Sequence, residues 1–263
     1  MKPGITQMCL GRKDLQADLK TAKDCGYEAI ELFFDDKGVP NIDASAAELK
    51  AIRKACDDAG LDLTSTLAFR NDMGSTLSPI AAEREKREAV IRRNIDIAAA
   101  VGVDTFLLHP GQLEANDTYE RAWNDAVASL KKVSGYAKEK KVNIAIENVW
   151  NKFLLSPREA RQFIDDCGSD FVGFYLDTGN LIHYGFTEMW IKELGHRIKK
   201  VHVKDYRRKD RQFVQLQDGD CNWPAIMAEL RKIGFDGALI SEVGGDEASL
   251  KESAARIRKI MAL

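Results

Sequence analysis

The sequence lacks the features that mark several classes of protein. Its 5 cysteines are scattered without a CxxC pair, which is typical of reduced thiols and does not indicate a disulfide framework. The net charge of -2 leaves no large basic surface, so we expect no nucleic-acid partner. No apolar run approaches the about 20 residues of a membrane span, and the first residues lack the apolar stretch of a signal peptide. We therefore expect a cytoplasmic protein with no membrane partner.

The overall amino-acid composition is that of an ordinary globular protein. It has 263 residues, of which 44% are hydrophobic and 30% are charged. Such a chain can bury its own core without help from a disulfide or a metal, and its length suits an α/β barrel. No linker or shift in composition divides it. We therefore predict one domain over residues 1–263.

Short apolar runs alternate with longer amphipathic segments along the whole chain. The runs predicted as strands are Gly4–Leu10, Tyr27–Phe33, Leu61–Phe69, Val103–His109, Val142–Val149, Val172–Asp177, Lys199–Lys204 and Ala238–Val243. The segments predicted as helices are Asp14–Cys25, Ala44–Ala59, Pro79–Val101, Thr118–Lys140, Pro157–Cys167, Thr187–Leu194, Trp223–Ile233 and Glu247–Met261.

Eight strands and eight helices in strict alternation predict an α/β fold whose parallel sheet closes into a single (β/α)8 TIM barrel. An open, doubly wound sheet is the alternative, but no glycine-rich phosphate loop follows the first strand. Two serine-proline pairs, Ser78-Pro79 and Ser156-Pro157, predict helix starts in which a hydroxyl caps the first turn.

Four consecutive predicted strands, the fifth to the eighth, end in side chains that can bind a metal. Side chains along a barrel strand alternate between the interior and the helix layer. Because the apolar residues of these strands must face the helices, Glu147, Asp177, His202 and Glu242 face the interior at the carboxyl ends of the strands. That end of a barrel is where active sites lie.

Three carboxylates that converge in one cavity repel one another and raise the pKa of at least one of them, unless a cation neutralises them. The sequence therefore predicts one divalent metal ion at Glu147, Asp177, His202 and Glu242. Oxygen ligands with a single imidazole suit Mn2+, Mg2+ or Co2+, and Zn2+ is also compatible. A solvated acidic cleft is the alternative.

Four further side chains point toward the predicted mouth of the barrel. Glu31 ends the second strand and His109 the fourth, and each binds a substrate hydroxyl or has a local structural role. Lys204 holds a substrate oxygen or a phosphate, or it pairs with Glu242. Trp150, in the loop after the fifth strand, forms an apolar wall for the substrate or is simple packing.

The longest predicted loop follows the seventh strand and runs from Asp205 to Cys221. Its RRKDR stretch has two interpretations. One is a lid in which Arg207, Arg208 or Lys209 binds a phosphate. The other is a solvated loop of mixed charge.

Four segments of the chain resemble the sugar phosphate isomerase/epimerase superfamily, the xylose isomerase-like TIM barrels. They are AIENVW around Glu147, YLDTGN around Asp177, VHVKD around His202 and ISEV around Glu242. The order and the spacing of these residues match the metal site of that family. The stretches YLDTGN, HVKDY and DGDCNWPAIM look most like the L-ribulose/L-xylulose 5-phosphate 3-epimerase-like branch.

Two positions depart from the pattern of the free-ketose 3-epimerases in the family. Those enzymes carry a histidine where this chain has Asn180, and many carry a glutamate where it has Phe153. Both departures argue against a free ketose as the substrate and leave its identity open. Asn180 joins the four mouth side chains as a predicted substrate-binding residue.

The resemblance implies a divalent-metal-dependent isomerase or epimerase of a sugar or sugar phosphate that acts through an enediolate. Glu147 and Glu242 would be both metal ligands and catalytic acid-base groups, whereas Asp177 and His202 would be ligands only. The partner would be a small-molecule carbohydrate. Barrels of this family often form dimers or tetramers, so a homo-oligomer is compatible with the sequence.

Other functions stay open at this point. A lyase or dehydratase that acts on a keto-sugar or a cyclic keto acid would use the same ligands. A phosphodiesterase like endonuclease IV needs a cluster of metals, and the chain has 4 histidines and no basic surface for DNA. A barrel without catalytic activity is the remaining alternative, and the complete ligand set argues against it.

Overall fold

The computed structural model describes residues 1–12 and 14–263. Ten strands occur in this part of the chain: β1 (Lys2–Thr6), β2 (Ala29–Phe34), β3 (Asp62–Ala68), β4 (Thr105–Leu108), β5 (Asn143–Glu147), β6 (Val172–Asp177), β7 (Ile198–Val203), β8 (Asp205–Arg207), β9 (Gln212–Val214) and β10 (Ala238–Ser241). Eight of them close into a barrel in the order β1-β10-β7-β6-β5-β4-β3-β2, and every pair of neighbours is parallel. This confirms the predicted barrel and excludes the open sheet.

The helices of the described chain are α1 (Leu15–Asp24), α2 (Ala46–Asp58), α3 (Ala81–Ala100), α4 (Tyr119–Lys140), α5 (Pro157–Asp166), α6 (Thr178–Ile182), α7 (Thr187–Leu194), α8 (Trp223–Lys232) and α9 (Glu247–Met261). Eight follow the predicted helical segments, and the short α6 lies directly after β6. Among the described residues, no helix combines the length and the apolar character that crossing a membrane requires.

The two serine-proline pairs have different outcomes. Ser156 accepts a hydrogen bond from the backbone N–H of Glu159 and forms a complete capping box at the start of α5. The prediction at Ser78 is wrong, because α3 begins at Ala81 with Ile80 at its cap position. The hydroxyl of Ser78 accepts instead from the N–H of Ile80 in a local turn before the helix.

The interior of the barrel is layered. At its amino-terminal end lies a small apolar cluster of Ala29, Ala238 and Ile240. Gly4 belongs to the same level, where a Cβ would stand 2.4 Å from the Ile240 side chain, so crowding between strands requires glycine there. A second interior cluster consists of Leu67, Leu107, Ala145 and Tyr175. The buried polar residues Glu147, Asp177 and His202 lie at or near the carboxyl ends of their strands.

The predicted loop after β7 is an antiparallel hairpin, β8–β9, whose base is held by one buried carboxylate. Asp205 is 0% exposed. Its oxygens accept from the backbone N–H groups of Tyr206 at 2.9 Å, Gln217 at 3.0 Å and Cys221 at 3.1 Å, and from the indole N–H of Trp223 at 3.0 Å. The hairpin is therefore anchored to the barrel and to the start of α8.

We expect Asp205→Ala to lower the free energy of unfolding by about 3 kcal/mol, because it leaves buried donors without an acceptor. Urea unfolding followed by circular dichroism measures this change. Asp210→Ala is the matched control at the exposed tip of the same hairpin, and it should cost less than about 1 kcal/mol. Equal effects of the two substitutions would contradict the anchoring role.

Candidate metal centre

The structure brings the four predicted ligands together at one end of the barrel. Glu147 and Asp177 end β5 and β6, His202 lies in β7, and Glu242 directly follows β10. One ligand atom from each residue lies within 4.8 Å of the others. Among the described residues, no second group of three or more such side chains is this close together.

Three of these side chains present a buried atom without a hydrogen-bond partner. The atoms are Glu147 Oε1, Asp177 Oδ2 and His202 Nδ1. His202 Nδ1 lies 3.5 Å from Glu147 Oε1 and 3.8 Å from Glu242 Oε2. Buried polar atoms are nearly always satisfied, and a single cation between these atoms would satisfy them together. Carboxylate oxygens with one imidazole nitrogen therefore fit a divalent ion of the predicted kind.

The electrostatics of the cluster also favour a cation. Burial raises the pKa of Asp177 to about 8, and the carboxylates of Glu242 and Glu147 add to the rise. Burial alone would also raise the pKa of Glu147, but the facing imidazoles of His109 and His202 hold it well below its usual range. The ammonium group of Lys204 acts in the opposite direction on the pKa of Asp177, and a divalent ion bound here would likewise favour its ionised form.

Glu31 lies behind His202 and does not face the mouth. Its Oε1 is 2.9 Å from His202 Nε2, and its Oε2 accepts from Tyr175 at 2.6 Å and from Ser65 at 2.8 Å. The residue is 0% exposed. Its position therefore does not suit the predicted contact with a substrate hydroxyl. It suits an acceptor that fixes the ring of His202 with Nδ1 toward Glu147 and Glu242.

His109 and Lys204 reach the cluster from opposite sides. His109 Nε2 lies 2.7 Å from Glu147 Oε2, and its side chain is 32% exposed at the mouth. Lys204 donates to Glu242, and its Nζ lies 3.2 Å from Asp177 Oδ2. Burial would lower the pKa of Lys204, but Asp177 and Glu242 raise it well above its usual value. Of the two interpretations of Lys204, the structure shows the pairing with Glu242.

Asn180 supports the centre from α6. Its backbone N–H donates to Asp177 Oδ1 at 2.7 Å, and its side-chain amide donates to the carbonyl of Asn148 at 3.2 Å. Since the amide is engaged and the residue is 6% exposed, its place suits the orientation of Asp177 better than the predicted substrate contact. Trp150 lies at the rim, 41% exposed, and its indole N–H donates to the Asn180 carbonyl at 3.2 Å.

Arg207 and Arg208 are both engaged by neighbouring groups of the protein. Arg207 pairs with Asp210 at 2.7 Å. Arg208 donates to the backbone carbonyls of Ile182 and Gly185. Lys209 is exposed. The structure therefore favours the interpretation of this segment as a solvated loop of mixed charge.

Two aromatic residues at the mouth were not selected from the sequence. Phe33 on β2 and Phe69 after β3 pack edge to face with ring centroids 5.4 Å apart, and the Phe69 ring lies 5.1 Å from the ring of His109. Both are partly buried against the interior residues Leu67 and Tyr175. Side chains two residues apart on a strand point the same way. The alternation that places Glu31 inward therefore also predicts an inward Phe33.

The chain matches the xylose isomerase-like TIM barrel family over residues 19–260. It belongs to this family. The match confirms the family inferred from the four strand-end motifs, and it covers the segments that carry every residue of the centre.

Two curated relatives carry a named activity. The 2-epi-5-epi-valiolone 7-phosphate 2-epimerase of Actinoplanes sp. is 27% identical over 189 residues, which cover 72% of this chain and 66% of the relative. Inosose dehydratase of Clostridium perfringens is 26% identical over 160 residues, which cover 53% of this chain and 54% of the relative. Each match therefore spans less than two thirds of the relative's length.

Solved structures share the fold over almost the whole chain. L-ribulose 3-epimerase has a TM-score of 0.84 at 21% identity, and the match covers 99% of this chain and 94% of that one. The IOLI protein with a bound zinc atom has a TM-score of 0.83 at 18% identity, with 100% and 98% covered. At these identities the likeness establishes the fold.

We expect Mn2+ to bind the purified protein at one site per chain and to raise its melting temperature, because an ion that binds only the folded state stabilises it. Asp177→Asn should weaken binding at least about 10-fold, since it removes a charged ligand. Isothermal titration after treatment with a chelator measures both effects. Asp210→Asn, on the hairpin outside the centre, is the control. Unchanged affinity in Asp177→Asn would argue for a solvated acidic cleft.

Glu31→Gln should weaken Mn2+ binding by about 10- to 100-fold without unfolding the barrel, because the amide holds the His202 ring less firmly than the carboxylate does. The same titration measures it, with circular dichroism as the check on folding. Tyr175→Phe removes one hydrogen bond to Glu31 and should have a smaller effect in the same direction. Wild-type affinity in both variants would show that the network does not orient the ligand.

Proposed function

We propose that this protein is an enzyme that epimerises or isomerises a polyhydroxylated keto-sugar or its phosphate through an enediolate, with the help of one divalent cation. The observation that carries the proposal is the convergence of Glu147, Asp177, His202 and Glu242 within 4.8 Å. A bound cation would polarise the substrate carbonyl and the neighbouring hydroxyl, and would stabilise the negative charge that develops on them.

The proton transfers fall to Glu147 and Glu242. They belong to the fifth strand and to the end of β10, which are separated in the barrel by β6 and β7. They therefore approach a substrate in the mouth from different sides. If both reach one carbon, one removes its proton and the other returns a proton to the opposite face, which is epimerisation. If one carboxylate moves the proton between adjacent carbons, the result is aldose–ketose isomerisation.

Lys204 and His109 assist these carboxylates. Lys204 is charged and lies against Glu242 and Asp177, so its ammonium group can donate to a substrate oxygen as negative charge develops there. His109 lies 2.7 Å from Glu147 Oε2 and holds that carboxylate in place. It is also open to the mouth, where it can bind a hydroxyl.

The relatives support proton transfer next to a carbonyl. One is named a 2-epimerase, and a structure of the same fold is a 3-epimerase. A zinc atom in the IOLI structure supports a cation in this type of barrel. The chemistry that the relatives share is therefore consistent with the four ligands of this chain.

One relative favours a second candidate function. Inosose dehydratase matches 53% of this chain, and a dehydratase can start from the same enediolate. If the substrate carries a leaving group on the next carbon, loss of that group gives an unsaturated product. Ultraviolet absorption of the product distinguishes elimination from epimerisation, which leaves the chromophore of the substrate unchanged.

We expect Glu147→Gln and Glu242→Gln each to slow solvent-proton exchange into the substrate by at least about 100-fold, because removal of a general acid-base costs about that much. Deuterium incorporation from D2O, followed by NMR on a panel of ketoses with saturating Mn2+, measures the exchange. Asp210→Asn is the control for a change of surface charge. Normal exchange in either variant would remove that residue from the mechanism.

A further inference from the structure

The chain that leaves β4 is held by hydrogen bonds from three separate elements. Its first residues, 109–111, have the sequence HPG and form the HPG segment. Arg87 of α3 donates to the first carbonyl of this segment at 2.7 Å, and the backbone N–H of Thr76 donates to the second at 3.0 Å. From the loop after β5, the side-chain amide of Asn151 donates to the third at 2.7 Å. Three consecutive carbonyls are therefore fixed from different parts of the fold.

Arg87 is the charged member of these three donors, and it is buried, with 2% of its surface exposed. Its Nη1 lies 2.8 Å from the sulfur of Met73, and its Nε has no hydrogen-bond partner among the described residues. Burial lowers the pKa of Arg87 to about 10, so the guanidinium stays charged at neutral pH. A buried charge without a facing carboxylate is costly, and the bond to the His109 carbonyl is the strong polar contact that offsets this cost.

His109 extends this constraint to the metal centre. Its ring nitrogen Nε2 lies 2.7 Å from Glu147 Oε2, and its ring lies 5.1 Å from the ring of Phe69. The backbone of His109 is thus held by Arg87 from outside the barrel, and its imidazole is held between a carboxylate and an aromatic ring inside it. A side chain fixed at both ends can keep Glu147 in one orientation.

We propose that Arg87 is a positioning residue for the metal centre: its bond to the carbonyl of His109 fixes the imidazole that holds the carboxylate of Glu147. The inference concerns how the chain orients a candidate ligand. It rests on the proposed function only where Glu147 also transfers a proton. Functional side chains need a precision of about 0.5 Å, which requires that their supports be fixed as well.

A second arginine of α3 allows a general effect on folding to be separated from an effect on the centre. Arg93 donates to the carbonyls of Ile42 and Ala44, both at 2.6 Å, in the chain between β2 and α2. That segment contains no residue of the centre. Loss of Arg93 should therefore destabilise the fold and leave the centre unchanged, whereas loss of Arg87 should affect both.

The first test measures the affinity of the chelator-treated protein for Mn2+ by isothermal titration. Arg87→Met removes the bond to the carbonyl and should weaken Mn2+ binding by about 10-fold, the lower end of what loss of an orienting group costs. Arg87→Lys keeps a charged donor and should restore most of the affinity. Arg93→Met is the matched control and should bind Mn2+ as the wild type does. Wild-type affinity in Arg87→Met, or an equal loss in Arg93→Met, would overturn the proposal.

A double-mutant cycle tests whether Arg87 acts through the imidazole. His109→Ala removes the ring and keeps the backbone carbonyl, so Arg87→Met should cause little further loss of Mn2+ affinity in that background. Losses that multiply would show that Arg87 does not act through His109 and would overturn the proposal. If Arg87→Met does not fold, Asn151→Ala takes its place in the cycle, because it removes the bond to the third carbonyl of the HPG segment.

Proton exchange separates this inference from the proposed function. If Arg87→Met weakens Mn2+ binding through His109 but the wild type exchanges no proton between any ketose and D2O, the positioning role stands and the proposed reaction is wrong. If the wild type exchanges protons, and Arg87→Met binds Mn2+ and exchanges protons equally well, the reaction stands and the positioning role is wrong.

Discussion

The mouth of this barrel depends on the balance of charge among three buried carboxylates. Glu147, Asp177 and Glu242 come from separate strands and cannot move apart, because the closed sheet fixes the strand ends. Lys204 offsets one of the three negative charges, and a divalent ion would offset the other two. With a metal and Lys204 both present, the charges of the three carboxylates are therefore offset. The negative charge that develops on an enediolate would then not be repelled by them.

A fourth carboxylate lies close to the centre without disturbing this balance. Glu31 is buried behind His202, and its carboxylate contacts His202 through one oxygen and the hydroxyls of Tyr175 and Ser65 through the other. Burial would raise the pKa of Glu31, but His202 and the hydroxyls lower it. The carboxylate of Glu31 therefore orients one candidate ligand, His202. The ring of His202 separates this carboxylate from a substrate in the mouth.

Strand alternation predicted the four ligands because the period of two in a β-strand is rigid, so apolar residues on one side fix the direction of those between them. The same alternation shows whether a side chain points into the barrel, but it does not show how deep in the barrel the side chain lies. It placed Glu31 inward correctly but could not show that Glu31 lies beneath His202. Asn180 lies in the short helix α6, and the hairpin β8–β9 is built around the charged stretch RRKDR, so neither has a strand period that the sequence could reveal.

The metal centre and the hairpin are linked through one short segment of chain. His202, Lys204 and Asp205 lie within four residues, and they supply a candidate metal ligand, the cation beside the other candidate ligands and the anchor of the hairpin. Because Lys204 also lies under the ring of Phe213, a shift of the hairpin would move the ammonium group relative to Asp177 and Glu242. The hairpin side of the mouth is therefore in direct contact with the ammonium group that offsets the charge of the carboxylates.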